Sequence, residues 1–184
     1  MMNSTKYAIL VPWIETDAGD ALLLEVRSQH VKQPGEVCFP GGRAESGESV
    51  IDAAVRETCE ELGIGQDAIE VISELEPLMM GDGRSVHPVT ARLLIEDIDG
   101  LKLSEDEVAE VFLLPSGWLA DNPFTHYDLA VTADEELPEK LRAYLANYGE
   151  YRKTGQTDYL EYEGHGIWGL TARIIMGTVP VRDD

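Results

Sequence analysis

The chain is short of positive charge, of cysteine and of long apolar runs, and each shortage removes a class of function. Lys and Arg number 14 against 35 Asp and Glu, a formal charge of -21. Such a chain repels nucleic-acid backbones and anionic membrane surfaces, so neither is expected as a partner. No apolar run reaches the roughly 18 residues that a membrane-spanning helix needs. The amino-terminal MMNSTKYAIL lacks the basic region and apolar segment of a secretory signal, and the final VPVRDD carries no lipidation or peroxisomal signal. A cytoplasmic address is therefore expected. The two cysteines, Cys38 and Cys59, offer neither a disulfide framework nor metal-site spacing, and both are read as packing residues. Repeats and low-complexity segments are absent. What remains is 184 residues of 43% hydrophobic content, enough for one soluble domain, 1–184, with its own core. An anionic small substrate would need a metal ion or local basic groups beside it.

The stretch Gly41 to Ile64, GGRAESGESVIDAAVRETCEELGI, holds the densest chemistry. Ser49 can cap a helix, Asp52 completes a weak capping box, and Gly63 supplies a stop, which predicts a helix over Val50 to Leu62. At about 100° per residue, Ile51, Ala54, Val55, Thr58 and Leu62 share a packing face, while Glu57, Glu60 and Glu61 gather on the far side. Like charges at these spacings repel. Acidic helix faces are common and most are merely solvated, but here a glycine turn precedes the helix. Pro40, Gly41 and Gly42 let the backbone come close to a metal or phosphate. Oxygen-only ligands suit a hard divalent ion, Mg²⁺ or Mn²⁺. Beside the turn stand Arg27, Ser28, His30, Lys32 and Arg43; Arg27 could grip phosphate in bidentate fashion, while His30 is read as an ordinary loop residue.

Gly42, Glu48 six residues on, and then Arg56-Glu57-Thr58-Cys59-Glu60-Glu61-Leu62-Gly63-Ile64 closely resemble the Nudix box of the Nudix hydrolases. Thr58 departs from the usual aliphatic residue. The resemblance implies an α/β fold, an α/β/α sandwich with a mixed β-sheet. It also implies water attack on a phosphoanhydride with Mg²⁺ or Mn²⁺ as cofactor. Carried over residue by residue, Glu57, Glu60 and Glu61 form the metal and water face, a backbone carbonyl of Gly41-Gly42 is a further ligand, and Arg56 orients a glutamate. Glu57 is the expected base, with Arg56 and Glu60 counted beside it in the catalytic set.

Taken in order, Thr5 to Ile14 and Ala21 to Val26 read as strands joined by the turn Asp17 to Asp20, followed by a polar loop and a short strand, Glu36 to Phe39. The run LLEVRSQHVKQPGEVCFPGG, Leu23 to Gly42, resembles the signature ahead of the Nudix box in coenzyme A pyrophosphatases. Leu23, Leu24, Arg27, Ser28, Gly35, Phe39, Pro40, Gly41 and Gly42 match, and Lys32 stands where arginine is usual. Glu25 replaces a threonine, and the loop between Ser28 and Gly35 is one residue short. Ala68 to Leu78 and His87 to Ile95 read as strands around the loop Met79 to Val86. Val111 to Leu114 is a short strand, with Pro115 opening a helical turn through Leu119.

The stretch EDEVAEVFLLP again looks like the coenzyme A group, which makes Glu107 and Glu110 further candidates for the metal site or the base, although solvated surface glutamates are the commoner case. About 121–155 is read as a variable insertion with a helix after Pro138. Thr157 to Tyr162 is a last strand, and Ile167 to Val179 a closing helix. HGIWGLTARIIMG, His165 to Gly177, resembles the same group a third time. The implied substrate is a small-molecule nucleotide, coenzyme A or an acyl derivative, cut to 3',5'-ADP and 4'-phosphopantetheine. The alternatives are another nucleoside diphosphate derivative, such as ADP-ribose, NADH or a dinucleoside polyphosphate, and a non-catalytic module that keeps the fold. Oligomeric state is left open, a homodimer included.

Overall fold

The computed structural model describes residues 5–129, 138–146 and 155–178. Its elements run β1 (Lys6–Thr16), β2 (Gly19–Arg27), β3 (Val37–Cys38), β4 (Gly41–Arg43), α1 (Val50–Leu62), β5 (Ile69–Glu74), β6 (Leu78–Met79), β7 (Ser85–Leu93) and β8 (Val108–Pro115). They continue with α2 (Ser116–Asp121), β9 (Thr125–Leu129), α3 (Glu139–Ala146), β10 (Gly155–Tyr162), β11 (His165–Trp168) and α4 (Gly169–Thr178). The main sheet has the order β3-β2-β1-β7-β5, with β4 on β1, β6 on β7 and β8 on β2. Among the described strands of this sheet only β1 and β7 run parallel, so the sheet is mixed.

Strand alternation builds two cores, one on each face of this sheet. Leu10, Ile14 and Leu23 pack with Ala53, Ala54 and Leu62 of α1 and with Val89 and Ala91 of β7. On the opposite face Leu22, Leu24 and Val26 pack with Leu119 of α2, Ile167 of β11 and Ile174 and Ile175 of α4. Being covered on both sides, β2 is buried from Ala21 to Val26, which is why its sequence, Glu25 apart, is apolar without alternation. The expected α/β/α sandwich with a mixed sheet is the observed fold. A second sheet, β11-β10-β9, lies beside it. Among the described residues no helix is long and apolar enough to cross a membrane.

Helix α1 has the expected bounds, but two other elements and one residue of α1 differ from the sequence reading. The strand expected over Ala68 to Leu78 is split: the register shifts between Val71 and Ser73, and β6 resumes only after Pro77, which has no N–H for a ladder. The closing helix starts at Gly169 rather than Ile167, because His165–Trp168 pairs with β10 and Gly169, at φ 60°, turns the chain. Ile51, placed on the packing face by periodicity, is 36% exposed. Within the stretch 121–155, β9 and the helix after Pro138 are present, while residues 130–137 and 147–154 lie outside the described residues.

Candidate active site

The site starts at the ends of α1. The Ser49 hydroxyl accepts the Asp52 N–H at 3.1 Å and donates to the Asp52 carboxylate at 2.7 Å. Gly63, at φ 66°, donates its N–H to Cys59 O, a left-handed cap that a side chain would strain. Thr58 sits inside the packing face because its hydroxyl donates back to Ala54 O at 2.7 Å, so that this buried hydroxyl is paired.

The glycine turn is tight for two different reasons. Gly41 has φ 144°, and a Cβ there would run into the Ala8 carbonyl, so only glycine lets β4 lie on β1. At Gly42 a Cβ would occupy the space of the Glu57 carboxyl group. One glycine makes room for backbone, the other for a carboxylate.

Arg56 then ties the acidic groups together. Its guanidinium meets Glu48 at 2.9 Å, Glu57 at 3.0 Å and Glu60 at 3.4 Å, and reaches Arg43 O at 3.4 Å. The Arg56 hydrogen bond holds the Glu48 carboxyl below its ordinary range. The glutamates of α1 are not one solvated face, as periodicity predicts. The Glu60 side chain is 58% exposed, Glu57 is half-buried, and Glu61 is 8% exposed with its carboxylate accepting the Gly41 N–H at 2.7 Å. Burial pushes Glu61 up to about 8, opposed by the Gly41 N–H and reinforced by Glu107 and Glu57. Burial also raises Glu57, against the pull of Arg56. The sequence model of the NUDIX domain matches residues 5–133. The chain belongs to the Nudix hydrolase family.

Among relatives of the hydrolase, Nudix hydrolase 3 of Caenorhabditis elegans is 35% identical over 171 residues, covering 91% of this chain and 69% of that one. The peroxisomal coenzyme A diphosphatase NUDT7 of Mus musculus is 33% identical over 177 residues, 94% of this chain and 68% of that one. A crystal structure of a C. elegans Ap4A hydrolase binary complex superposes with a TM-score of 0.51 and 26% identity, covering 60% of this chain and 80% of that one.

The donor chemistry of the hydrolase's site fits a hard divalent ion: carboxylate oxygens on α1 beside a glycine backbone that no side chain screens. Among the described residues, no three Asp, Glu, His or Cys side chains converge as a ready-made cage.

The loop residues are disposed unequally. Arg27 is half-buried, donates Nε to Lys32 O at 2.8 Å and turns Nη1 to Cys38 Sγ at 4.0 Å. The Ser28 hydroxyl is buried, donates to Asp106 O at 2.5 Å and accepts the His30 N–H, so it ties two loops rather than facing outward. Lys32 and Arg43 are exposed, and Arg43 borders an open hollow of about 480 Å³ with Ala44, Glu45 and Ser46. A larger hollow, about 570 Å³, lies away from the glycine turn and is lined by Glu15, Asp17, Glu96, Asp97 and Asp99; its charge repels an anionic substrate, so the smaller one is the better candidate. Both cysteines are free, as expected. One candidate escaped the sequence reading: Glu25, buried on the Leu23 face of β2. Its signal was a lone carboxylate inside the apolar run of β2.

Proposed function

We propose that this Nudix hydrolase cleaves the diphosphate of coenzyme A or an acyl derivative, giving 3',5'-ADP and 4'-phosphopantetheine. The observation that carries the substrate is the run Leu23 to Gly42, which folds so that Arg27 fixes the loop bearing Lys32 and delivers the glycine turn beside Arg43. The mouse relative named as a coenzyme A diphosphatase supports the same reading. In this reading Arg27, Lys32 and Arg43 offset the phosphate charge, and Ser28 sets the loop.

Glu57, Glu60 and Glu61, with the Gly41-Gly42 backbone, would hold Mg²⁺ or Mn²⁺. The bound ion supplies charge neutralisation and a water of lowered pKa. Arg56 orients Glu57, held over Gly42, and Glu57 accepts the proton of the attacking water. The new bond forms to one phosphorus as its bond to the bridging oxygen breaks, and the second phosphate leaves. Arg56 on three glutamates at once argues against a non-catalytic module, since such a module has no need of an oriented carboxylate. We take 1–184 as one domain, with about 121–155 as its variable addition.

A second reading, hydrolysis of a dinucleoside polyphosphate, draws on the Ap4A hydrolase neighbour and on the loop shortened before Gly35. Incubation with Mg²⁺ or Mn²⁺ and coenzyme A, ADP-ribose, NADH and diadenosine polyphosphates, with products identified by mass spectrometry, separates the readings. The expected result is coenzyme A cut fastest. Equal or faster cleavage of another compound overturns the substrate, and no cleavage at all favours the binding module.

A further inference from the structure

We propose that Glu25 is an additional carboxylate of the cation centre, contributed by β2 to the ion that the α1 glutamates would hold. This rests on the metal-dependent reading of the site. Strand alternation in β2 sends Leu24 and Val26 to the far core and puts Glu25 on the face of Leu23, the face that α1 covers. There Glu25 is 2% exposed. Its Oε1 has no hydrogen-bond partner among the described residues, and the neighbour of Oε2 is Cys38 Sγ, a weak donor at 4.0 Å.

Buried carboxylates are normally paired, because desolvation without a partner is costly. The charges that act on Glu25 are Glu61 first, then Arg27 and Glu107. Arg27 cannot satisfy it alone, since its Nε is spent on Lys32 O and its Nη1 turns to Cys38. One guanidinium faces three carboxylates here, and a divalent ion would supply the further positive charge they lack. Glu61 links the two levels: its Oε2 takes the Gly41 N–H from the glycine turn. A core filler at this position would be apolar or a hydroxyl, and the coenzyme A pattern has threonine.

The test is Mn²⁺ binding by the full chain without substrate, read from the electron paramagnetic resonance signal of free Mn²⁺ and from the metal-induced rise in melting temperature. The proteins are wild type, Glu25→Gln, Glu25→Thr, and Glu70→Gln as an exposed control. Both Glu25 variants should bind Mn²⁺ about 10- to 100-fold more weakly and show a smaller metal-induced rise. Their metal-free melting temperatures should equal or exceed that of wild type, since the carboxyl they replace has an unpartnered buried oxygen; Glu70→Gln should match wild type. Wild-type Mn²⁺ affinity in either Glu25 variant overturns the proposal while leaving the metal site intact. A wild-type chain that takes up no Mn²⁺ overturns the metal-dependent reading itself, and the proposal with it.

Discussion

The Gly41 N–H donates to the Glu61 carboxylate at 2.7 Å, joining the glycine turn to the underside of the helix that follows it. This bond favours the charged carboxylate, yet burial outweighs it and sets Glu61 near 8. A carboxyl raised above its ordinary 4.5 binds its proton more tightly in the folded chain than in the unfolded one. Its contribution to stability is complete below the ordinary value and is lost as pH rises through about 8. In the presence of a chelator, wild type should therefore lose melting temperature between about pH 5 and about pH 9 more steeply than Glu61→Gln. Calorimetry across that range checks this; parallel curves would remove the buried ionisation. Added Mn²⁺ should flatten the wild-type slope, because the ion favours the charged form.

The two glycines of the turn should fail in different ways. Gly41→Ala places a methyl against the backbone of β1 at Ala8 and Ile9, in a strained left-handed conformation. Stability should fall by about 1–3 kcal/mol, seen in urea unfolding. Gly42→Ala instead displaces the Glu57 carboxyl group. Its melting temperature should stay near wild type while kcat drops by about 100-fold, the cost of shifting a catalytic group by an ångström. Comparable losses of stability in both variants would refute the division.

Arg56 should not be replaceable by lysine. Its planar guanidinium serves Glu48, Glu57 and Glu60 at once, a geometry a single ammonium cannot match. Arg56→Lys should weaken Mn²⁺ about 10- to 100-fold and lower kcat with it, with little change in melting temperature because the pairs are partly exposed. Glu48→Gln should move the same way by less. Mn²⁺ titrations of turnover read both, and wild-type kinetics in Arg56→Lys would show that Arg56 does not orient Glu57.

The turn and the helix were legible in sequence because their signals are local. Ser49, Asp52 and Gly63 fix the bounds of α1 by hydrogen bonds within a few residues, and the structure keeps those bounds. The unequal burial of Glu57, Glu60 and Glu61 was not legible. A helical wheel gives direction but not what lies beneath, and what lies beneath Glu61 is a glycine N–H and a carboxylate from strands twenty or more residues earlier. The strand His165–Trp168 was missed for a related cause, since it exists only by pairing with β10. Ile51 is the converse case: an apolar residue on the right face that is nonetheless exposed, while Val50 and Ala54 on either side of it pack against the core.

The loop before the turn carries the most direct test of substrate charge. Arg27 and Lys32 are both cations, but Arg27 holds the loop through the Lys32 carbonyl whereas the Lys32 side chain is exposed. Lys32→Ala removes charge and leaves the backbone bond in place. It should raise KM for coenzyme A about 10-fold with kcat unchanged, the pattern of lost uniform binding. Arg27→Ala removes the anchor as well and leaves Glu25 and Glu61 without their nearest cation, so kcat should fall together with kcat/KM. Steady-state kinetics on both variants decide the matter. An unchanged KM in Lys32→Ala would take Lys32 out of the substrate site and leave Arg27 and the exposed Arg43 side chain, beside its hollow, as the cations to contact the diphosphate.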